Sequence, residues 1–167
     1  MTFHIPASWH YAIPFFTWFW WGKRAFAWKV KFTDSCRYDL GDNDQLDTNK
    51  LVGVGYLPGF HHVDSARFGW RYNKATGLIE LLAYCYVNKQ RIIKDLAICE
   101  IGKVYELRLY TGDGIYSLGI WDPSTTRYIG YVTVPYTHKR KLQYLLLPYF
   151  GGNRRAPHGI KIQLKRL

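Results

Sequence analysis

Acidic residues and cysteine are scarce in this sequence. Its 167 residues include 12 Asp and Glu against 23 Lys and Arg, which gives a formal net charge of +11. The three cysteines are odd in number and have no Cys-x-x-Cys spacing, so neither a disulfide framework nor a zinc knuckle is indicated. We therefore expect Cys36, Cys85 and Cys99 to be reduced, buried thiols.

Targeting and membrane signals are also missing. The aromatic residues 11–21 follow no charged segment, contain Pro14, and precede Lys23 and Arg24 instead of a small-residue cleavage site. Residues 1–22 carry no charged side chain, but their prolines and aromatic bias argue against a membrane span. We expect a cytoplasmic protein without a signal peptide, or one packed into a particle that is assembled in the cytoplasm.

Motifs of nucleophilic, phosphate-binding and zinc-protease chemistry are absent. There is no Gly-x-Ser-x-Gly, no Gly-x-x-x-x-Gly-Lys and no His-Glu-x-x-His, and we expect no cofactor. The positive charge favours an acidic partner, which leaves nucleic acid, an anionic glycan or an acidic protein surface. Because no nucleic-acid-binding signature accompanies the charge, we expect no specific nucleic-acid recognition.

Period-2 alternation dominates the chain. Phe26, Trp28, Val30 and Phe32 face one way while the lysines between them face the other, which is typical of a strand with one buried face. Further strands are predicted near residues 66–73, 78–87, 90–98, 103–110, 115–121, 128–134, 142–150 and 158–166. The last two flank Gly151, Gly152 and Asn153, and we expect them to end the chain as a sheet closing on itself.

These short strands predict an all-β fold, a two-sheet antiparallel β-sandwich of the jelly-roll type, with a closed barrel as the alternative. No helical apolar period lasts three turns, and no repeat or linker is visible. We expect one sandwich domain over residues 26–167, preceded by an aromatic N-terminal arm or first strand over residues 1–25.

The arm is too aromatic to be left in water, with large rings expected on both of its faces. One interpretation is that it packs across the core of its own domain. The other is that it docks on another subunit. The interface residues expected in that second case are Phe15, Phe16, Trp18, Trp20 and Trp21.

A binding face is predicted from two neighbouring strands. Arg67 and Arg71 lie on one face of the first strand, opposite its aromatic residues, and Glu80, Tyr84 and Tyr86 lie on the polar face of the second. If these strands pair, arginine, carboxylate and tyrosine form one platform suited to a sugar or an acidic chain. The alternative is an ordinary cross-strand pair between Arg67 and Glu80.

Two oxygen- and nitrogen-rich segments are weak metal candidates. Residues 42–47 offer Asp42, Asp44 and Asp47, but their spacing departs from the EF-hand, so a solvated acidic turn is favoured over calcium. His61 and His62 are adjacent, and on a strand they would point to opposite faces. We predict no metal site.

The run SARFGWRY and the late PYFGGN resemble the layout of the concanavalin-like jelly rolls, including the alginate-lyase type of polysaccharide lyase. Arg67 and Arg71 match that family's Arg-x-Glu-x-Arg strand, with Gly69 at the carboxylate position. The family's Gln-x-His element is absent, and PYFGGN lacks its lysine and second tyrosine. The resemblance implies the architecture and a glycan-facing sheet.

The sequence also resembles short β-sandwich proteins of Bacteroidetes and their tailed phages, through an HH-x-x-SARFGWR-like run and a late YFGGN-x-x-AP motif. This resemblance implies a virion component, with other virion or assembly subunits as partners. We therefore expect a non-enzymatic binding or structural protein with a lectin-like face for an acidic glycan. The alternatives are a stand-alone carbohydrate-binding module and a polysaccharide-lyase-like enzyme.

Overall fold

The computed structural model describes all residues from Met1 to Leu167 and contains twelve strands with two short 3-10 helices, Asp34–Cys36 and Asn43–Leu46. The strands are Thr2–Ile5 (β1), Phe19–Trp21 (β2), Ala25–Phe32 (β3), Asn49–Leu57 (β4), Ser65–Asn73 (β5), Leu78–Val87 (β6), Gln90–Cys99 (β7), Val104–Gly112 (β8), Ile115–Asp122 (β9), Arg127–Pro135 (β10), Leu142–Leu146 (β11) and Ile160–Arg166 (β12).

The strands form two six-stranded antiparallel sheets. Sheet A has the order β1-β12-β3-β8-β9-β10, and sheet B has the order β2-β11-β4-β5-β6-β7. Apolar residues alternate along β3 and β12, and their buried members pack between the sheets with Phe68 and Trp70 of β5. The predicted two-sheet antiparallel sandwich of the jelly-roll type is confirmed.

The end of the chain differs from the prediction. The run after residue 141 stops as a strand at Leu146 and belongs to sheet B, whereas β12 belongs to sheet A, so the two are not partners. Pro148 has no N–H to donate to a ladder, and the chain then crosses from one sheet to the other. Tyr149 keeps only isolated bridges to Tyr11 and Lys50.

β4, which lies in the middle of sheet B, was not predicted from the sequence. Almost every residue of this strand is buried, so the strand has no wet face and its sequence shows no alternation. Gly53 and Gly55 further lower its apparent strand propensity. The site described below depends on this strand.

The N-terminal segment joins both sheets of its own domain. It supplies β1 to the edge of sheet A and β2 to the edge of sheet B. Phe16 and Trp20 pack against the hydrophobic core, whereas Phe15, Trp18 and Trp21 are exposed. Part of the arm therefore packs within its own domain. Docking of its exposed rings on another subunit remains a prediction.

Other expectations concern cysteines and the membrane. All three cysteines are free and buried, which confirms the prediction of reduced thiols. Burial raises the pKa of Cys36, Cys85 and Cys99 to about 12, so they are poor nucleophiles. No helix has the length and hydropathy needed to cross a membrane.

Candidate functional site

A cleft of about 750 Å³ lies on the outer face of sheet B. Its floor consists of residues from β4, β5, β6, β7 and β11. Its walls come from the N-terminal segment, the loop between β4 and β5, and the segment after β11. No Asp or Glu is among the lining residues. We call it the sheet B cleft.

Two glycines of β4 shape the floor. Gly53 lies directly opposite Arg67, and Gly55 lies directly opposite Tyr144. A Cβ on Gly53 would collide with the backbone of β5, and one on Gly55 would lie 2.6 Å from the Tyr144 ring. Since neither glycine has a side chain, the side chains of Arg67 and Tyr144 have room to extend over the strand.

Arg67 is a buried cation without a counter-anion. It is 7% exposed, its Nη2 donates to the Leu147 carbonyl oxygen at 2.8 Å, and its Nε has no partner. Burial lowers the pKa of Arg67 to about 10, so the group stays charged at neutral pH. A buried charge without a partner is costly, and buried charges in proteins are ordinarily paired.

Two further cations join Arg67 in the cleft. Lys50 is half-buried, and its Nζ donates to the Gly151 carbonyl oxygen at 2.6 Å and lies 5.2 Å from the Tyr84 ring centre. Burial first, and then repulsion by Arg67, lowers the pKa of Lys50 to about 8. Arg91 of β7 is exposed and also lines the cleft. The cleft therefore attracts anions.

Aromatic rings accompany these cations. Tyr84 and Tyr86 lie 5.9 Å apart between ring centres on β6, and the Tyr149 ring centre lies 5.6 Å from Lys50 Nζ. Near the opening, Phe15 and Phe60 are 76% and 68% exposed. Exposed rings next to cations suit a ligand that has ring-shaped apolar faces as well as negative charge.

A histidine and a tyrosine meet in the same cleft. His61 Nδ1 lies 3.2 Å from the Tyr144 hydroxyl. Burial, with smaller contributions from His62 and Arg67, lowers the pKa of His61 to about 4, so its imidazole is neutral at neutral pH. His61 and His62 do not lie on a strand; they lie in a turn, and both line the cleft.

Only part of the predicted binding face lies in the sheet B cleft. Arg67, Tyr84 and Tyr86 line the cleft, whereas Arg71 and Glu80 share that sheet face but lie outside the cleft. Arg71 Nε donates to Glu80 Oε2 at 2.5 Å, and the two residues are register partners. The cross-strand pair therefore forms at Arg71, and the proposed pairing of Arg67 with Glu80 is wrong.

Several cleft residues were not identified from the sequence: Lys50, His61, Arg91, Tyr144 and Tyr149. Lys50 lies on β4, whose sequence shows no alternation, and His61 lies in a loop whose path no periodicity predicts. The available signal was PYFGGN, since its Tyr149 bridges to Lys50 and its Gly151 accepts the lysine's hydrogen bond.

No three His, Cys, Asp or Glu side chains are grouped so that they could hold a metal ion. In the acidic turn, Arg154 donates to Asp42 at 2.8 Å and lies 3.5 Å from Asp44. An intramolecular cation therefore already contacts these carboxylates.

Comparisons with known proteins indicate the fold. No family model and no curated protein match the chain. A functionally unknown protein from Saccharomyces cerevisiae matches 99% of this chain and 87% of its own, at 12% identity and a TM-score of 0.63. The alginate lyase of Pseudomonas aeruginosa matches 89% of this chain and 67% of its own, at 9% identity and a TM-score of 0.57.

A second alginate lyase, from Klebsiella pneumoniae, matches 87% of this chain at 8% identity and a TM-score of 0.59. The chain spans 60% of that enzyme's length. At such identities the likeness concerns the fold alone, and activity must be argued from the site. The chain thus has a jelly-roll β-sandwich fold similar to that of the alginate lyases.

Proposed function

We propose that this protein binds acidic oligosaccharides in the sheet B cleft. The observation that carries the proposal is Arg67, a buried guanidinium whose Nε has no partner and whose cleft contains no carboxylate. A carboxylate of the ligand would supply the missing counter-anion, because arginine binds carboxylates through paired hydrogen bonds.

The other lining residues fit the same class of ligand. Lys50 and Arg91 add positive charge beside Arg67, and the half-buried Tyr86 offers a ring face, whereas Tyr84 is only 6% exposed. Pyranose rings have apolar faces that pack on aromatic side chains, whereas their hydroxyl and carboxylate groups need polar partners. Uronate oligosaccharides combine both features in every residue.

Isothermal titration calorimetry with a polyuronate hexamer and a neutral hexamer of the same length tests the proposal. We expect binding of the acidic hexamer only. Arg91→Ala should weaken it about tenfold, because Arg91 is exposed and its loss removes one charge-assisted contact. Arg127→Ala, which removes an exposed arginine from β10 of sheet A, is the matched control. Equal binding of both hexamers, or none, would refute the proposal.

The second candidate function is β-elimination of a uronate, which the His61–Tyr144 pair favours. Neutral His61 would accept the proton at C5 while Tyr144 donates its proton to the leaving glycosidic oxygen. The electrons of the broken C–H bond form the C4–C5 double bond, and Arg67 stabilises the carboxylate on which charge develops.

Absorbance of the unsaturated uronate product measures this second function. Activity on polyuronate that is lost in His61→Ala and kept in His62→Ala would support elimination. If wild-type protein binds the hexamer and releases no unsaturated product, elimination is excluded and the binding function remains.

We propose the virus particle as the setting, with other virion subunits as partners, on the strength of the HH-x-x-SARFGWR and YFGGN-x-x-AP resemblance. A free carbohydrate-binding module is the alternative. Density-gradient fractions of particles, probed with antibody to this protein, distinguish the two. Recovery with the particles supports a virion subunit, whereas recovery only in the particle-free fractions supports the free module.

A further inference from the structure

The N-terminal segment presents an aromatic surface to solvent outside the hydrophobic core. Its rings are each between 51% and 76% exposed: Trp9, Tyr11, Phe15, Trp18, Phe19 and Trp21. Single exposed apolar residues are ordinary, but six rings within thirteen residues exceed what monomeric proteins usually leave in water. We call these six residues the aromatic edge.

The aromatic edge lies in the part of the chain that lacks charge. Residues 1–22 contain no Lys, Arg, Asp or Glu, although the whole chain carries +11. A second copy could therefore contact this segment without placing like charges of the segment against each other. Elsewhere on this basic protein the approach of a second copy would be opposed by repulsion.

The backbone of β2 is also open. In its pairing with β11, Trp18 accepts from Leu145 and Gly22 donates to Lys141, so the even-numbered residues face β11. The N–H and C=O groups of Phe19 and Trp21 consequently point away from the sheet, and no other backbone group bonds to them. This is an unpaired, apolar strand edge.

The opposite edge of sheet B is protected by contrast. Its edge strand, β7, carries exposed Arg91, Lys94 and Asp95, and its pairing with β6 is interrupted by a register shift. Charges and bulges on an edge strand prevent pairing with another chain. β2 has neither, so sheet B is open to a further strand at this edge.

The exposed rings at β2 supply part of the area that a stable dimer needs. An aromatic side chain offers about 150–250 Å², so the exposed parts of Trp18, Phe19 and Trp21 amount to on the order of 400 Å² per copy. Specific protein interfaces bury about 800 Å² on each partner. Backbone pairing along β2 would add to this area.

We propose that β2 pairs with β2 of a second copy of this chain, antiparallel and around a two-fold axis at the level of Trp20. Phe19 of one copy then lies opposite Trp21 of the other, and the four free backbone groups of each strand find partners. The two B sheets become one twelve-stranded sheet. Because the axis is perpendicular to that sheet, the sheet B clefts of both copies open on the same side.

Sedimentation equilibrium of the full chain at about 1–100 µM tests this pairing. We expect a monomer–dimer equilibrium that shifts toward dimer as salt is added, because salt screens the repulsion between two basic subunits. Trp21→Lys should raise the dissociation constant at least about 30-fold, since it places charge in the interface. Trp21 is exposed and does not line the cleft, so the variant should fold normally.

Ile98→Lys is the matched control, because Ile98 is 62% exposed on β7, the other edge strand of the same sheet. It should dimerise like the wild type. A monomeric wild type at every concentration, a dimer that survives Trp21→Lys with an unchanged constant, or equal weakening by Ile98→Lys would each overturn the proposal. Open-ended aggregation instead of a closed dimer would also overturn it. Because Tyr11, Phe15 and Phe19 also line the sheet B cleft, the sedimentation experiment is carried out without glycan, so its outcome does not depend on whether the cleft binds one.

Discussion

The outer faces of the two sheets are both basic and aromatic, yet they differ in whether a carboxylate lies beside their cations. On sheet A, Arg108 donates to Glu106 at 2.9 Å and stacks 4.6 Å from the Trp121 ring centre, and Lys29 lies 3.8 Å from the same carboxylate. On sheet B, Arg67 and Lys50 are more deeply placed and their cleft contains no carboxylate. Net charge therefore does not distinguish the faces, whereas the burial of Arg67 without a counter-anion does.

The faces also differ in what lies above their glycines. On sheet A, a Cβ on Gly119 would meet the edge of the Tyr128 ring at 2.8 Å, and that side chain is half exposed. On sheet B, a Cβ on Gly53 would meet the backbone of the neighbouring strand. At Gly53 the cleft floor is thus fixed by main-chain packing, whereas at Gly119 the sheet A surface can adjust.

The largest expected effect concerns these two glycines. Gly53→Ala should lower the free energy of unfolding by about 3 kcal/mol, because overpacking against backbone has no flexible side chain to relieve it. Gly119→Ala should cost less than about 1 kcal/mol, since the Tyr128 ring can move outward. Urea denaturation of both variants measures the difference, and equal losses would contradict the contrast between the faces.

The next effect concerns one lysine from each face. Lys50→Met should weaken binding of a polyuronate hexamer roughly 10- to 100-fold, because a charge-assisted contact in a desolvated site is lost. Lys29→Met, which removes the lysine beside Glu106 on sheet A, should leave the affinity unchanged. Calorimetry measures the affinity of both variants for the hexamer. A similar loss of affinity in the two would mean that the ligand does not bind in the sheet B cleft.

The melting temperature of Lys50→Met should show whether Lys50 serves ligand binding or the packing of the fold. The pKa of Lys50 is lower in the folded protein than its ordinary value, so the unfolded chain binds this proton more tightly and the charge opposes folding. Lys50→Met should therefore leave the melting temperature unchanged or raise it. A large drop would indicate that Lys50 is needed for packing instead.

A smaller effect is expected from the aromatic rings. Tyr86→Ala should weaken hexamer binding about five- to tenfold by removing one stacking face from the cleft. Tyr131→Ala, which removes a 60% exposed tyrosine from β10 of sheet A, is the comparison. Equal affinities of Tyr86→Ala and wild type would mean that the cleft binds its ligand through charge alone.

The fold was predictable wherever a strand has one buried and one wet face. The bounds of β6 were predicted correctly at residues 78–87, and its period-2 pattern placed Tyr84 and Tyr86 on the outer face together with Arg67 of β5. Strand pairing at the chain end was not predictable, because membership of β11 and β12 in different sheets depends on long-range packing that local alternation does not encode.

The site was predictable only in part, for the same reason. The outward position of Arg67 follows from alternation, but Lys50 and Tyr144, which line the same cleft, come from a strand buried on both faces and from a strand distant in sequence. His61 reaches the cleft through a turn. Of the residues predicted to bind a ligand, Arg67, Tyr84 and Tyr86 lie in the floor of the cleft, whereas Arg71 and Glu80 pair with each other outside it.

The smallest expected effect is the pH dependence of binding. It should distinguish a ligand bound in the cleft, beside Lys50, from a ligand bound at a surface whose lysines have the usual pKa. Because the pKa of Lys50 is about 8 in the free protein, the side chain loses its charge as the pH rises through that value, and attraction for an anion falls. If the bound lysine stays protonated, affinity for the hexamer should fall roughly fourfold between pH 7.0 and 8.5.

Lys50→Arg should remove this dependence, since arginine stays charged throughout the range. Calorimetry at several pH values makes the comparison, and an equally steep decline in Lys50→Arg would assign the titration to another group.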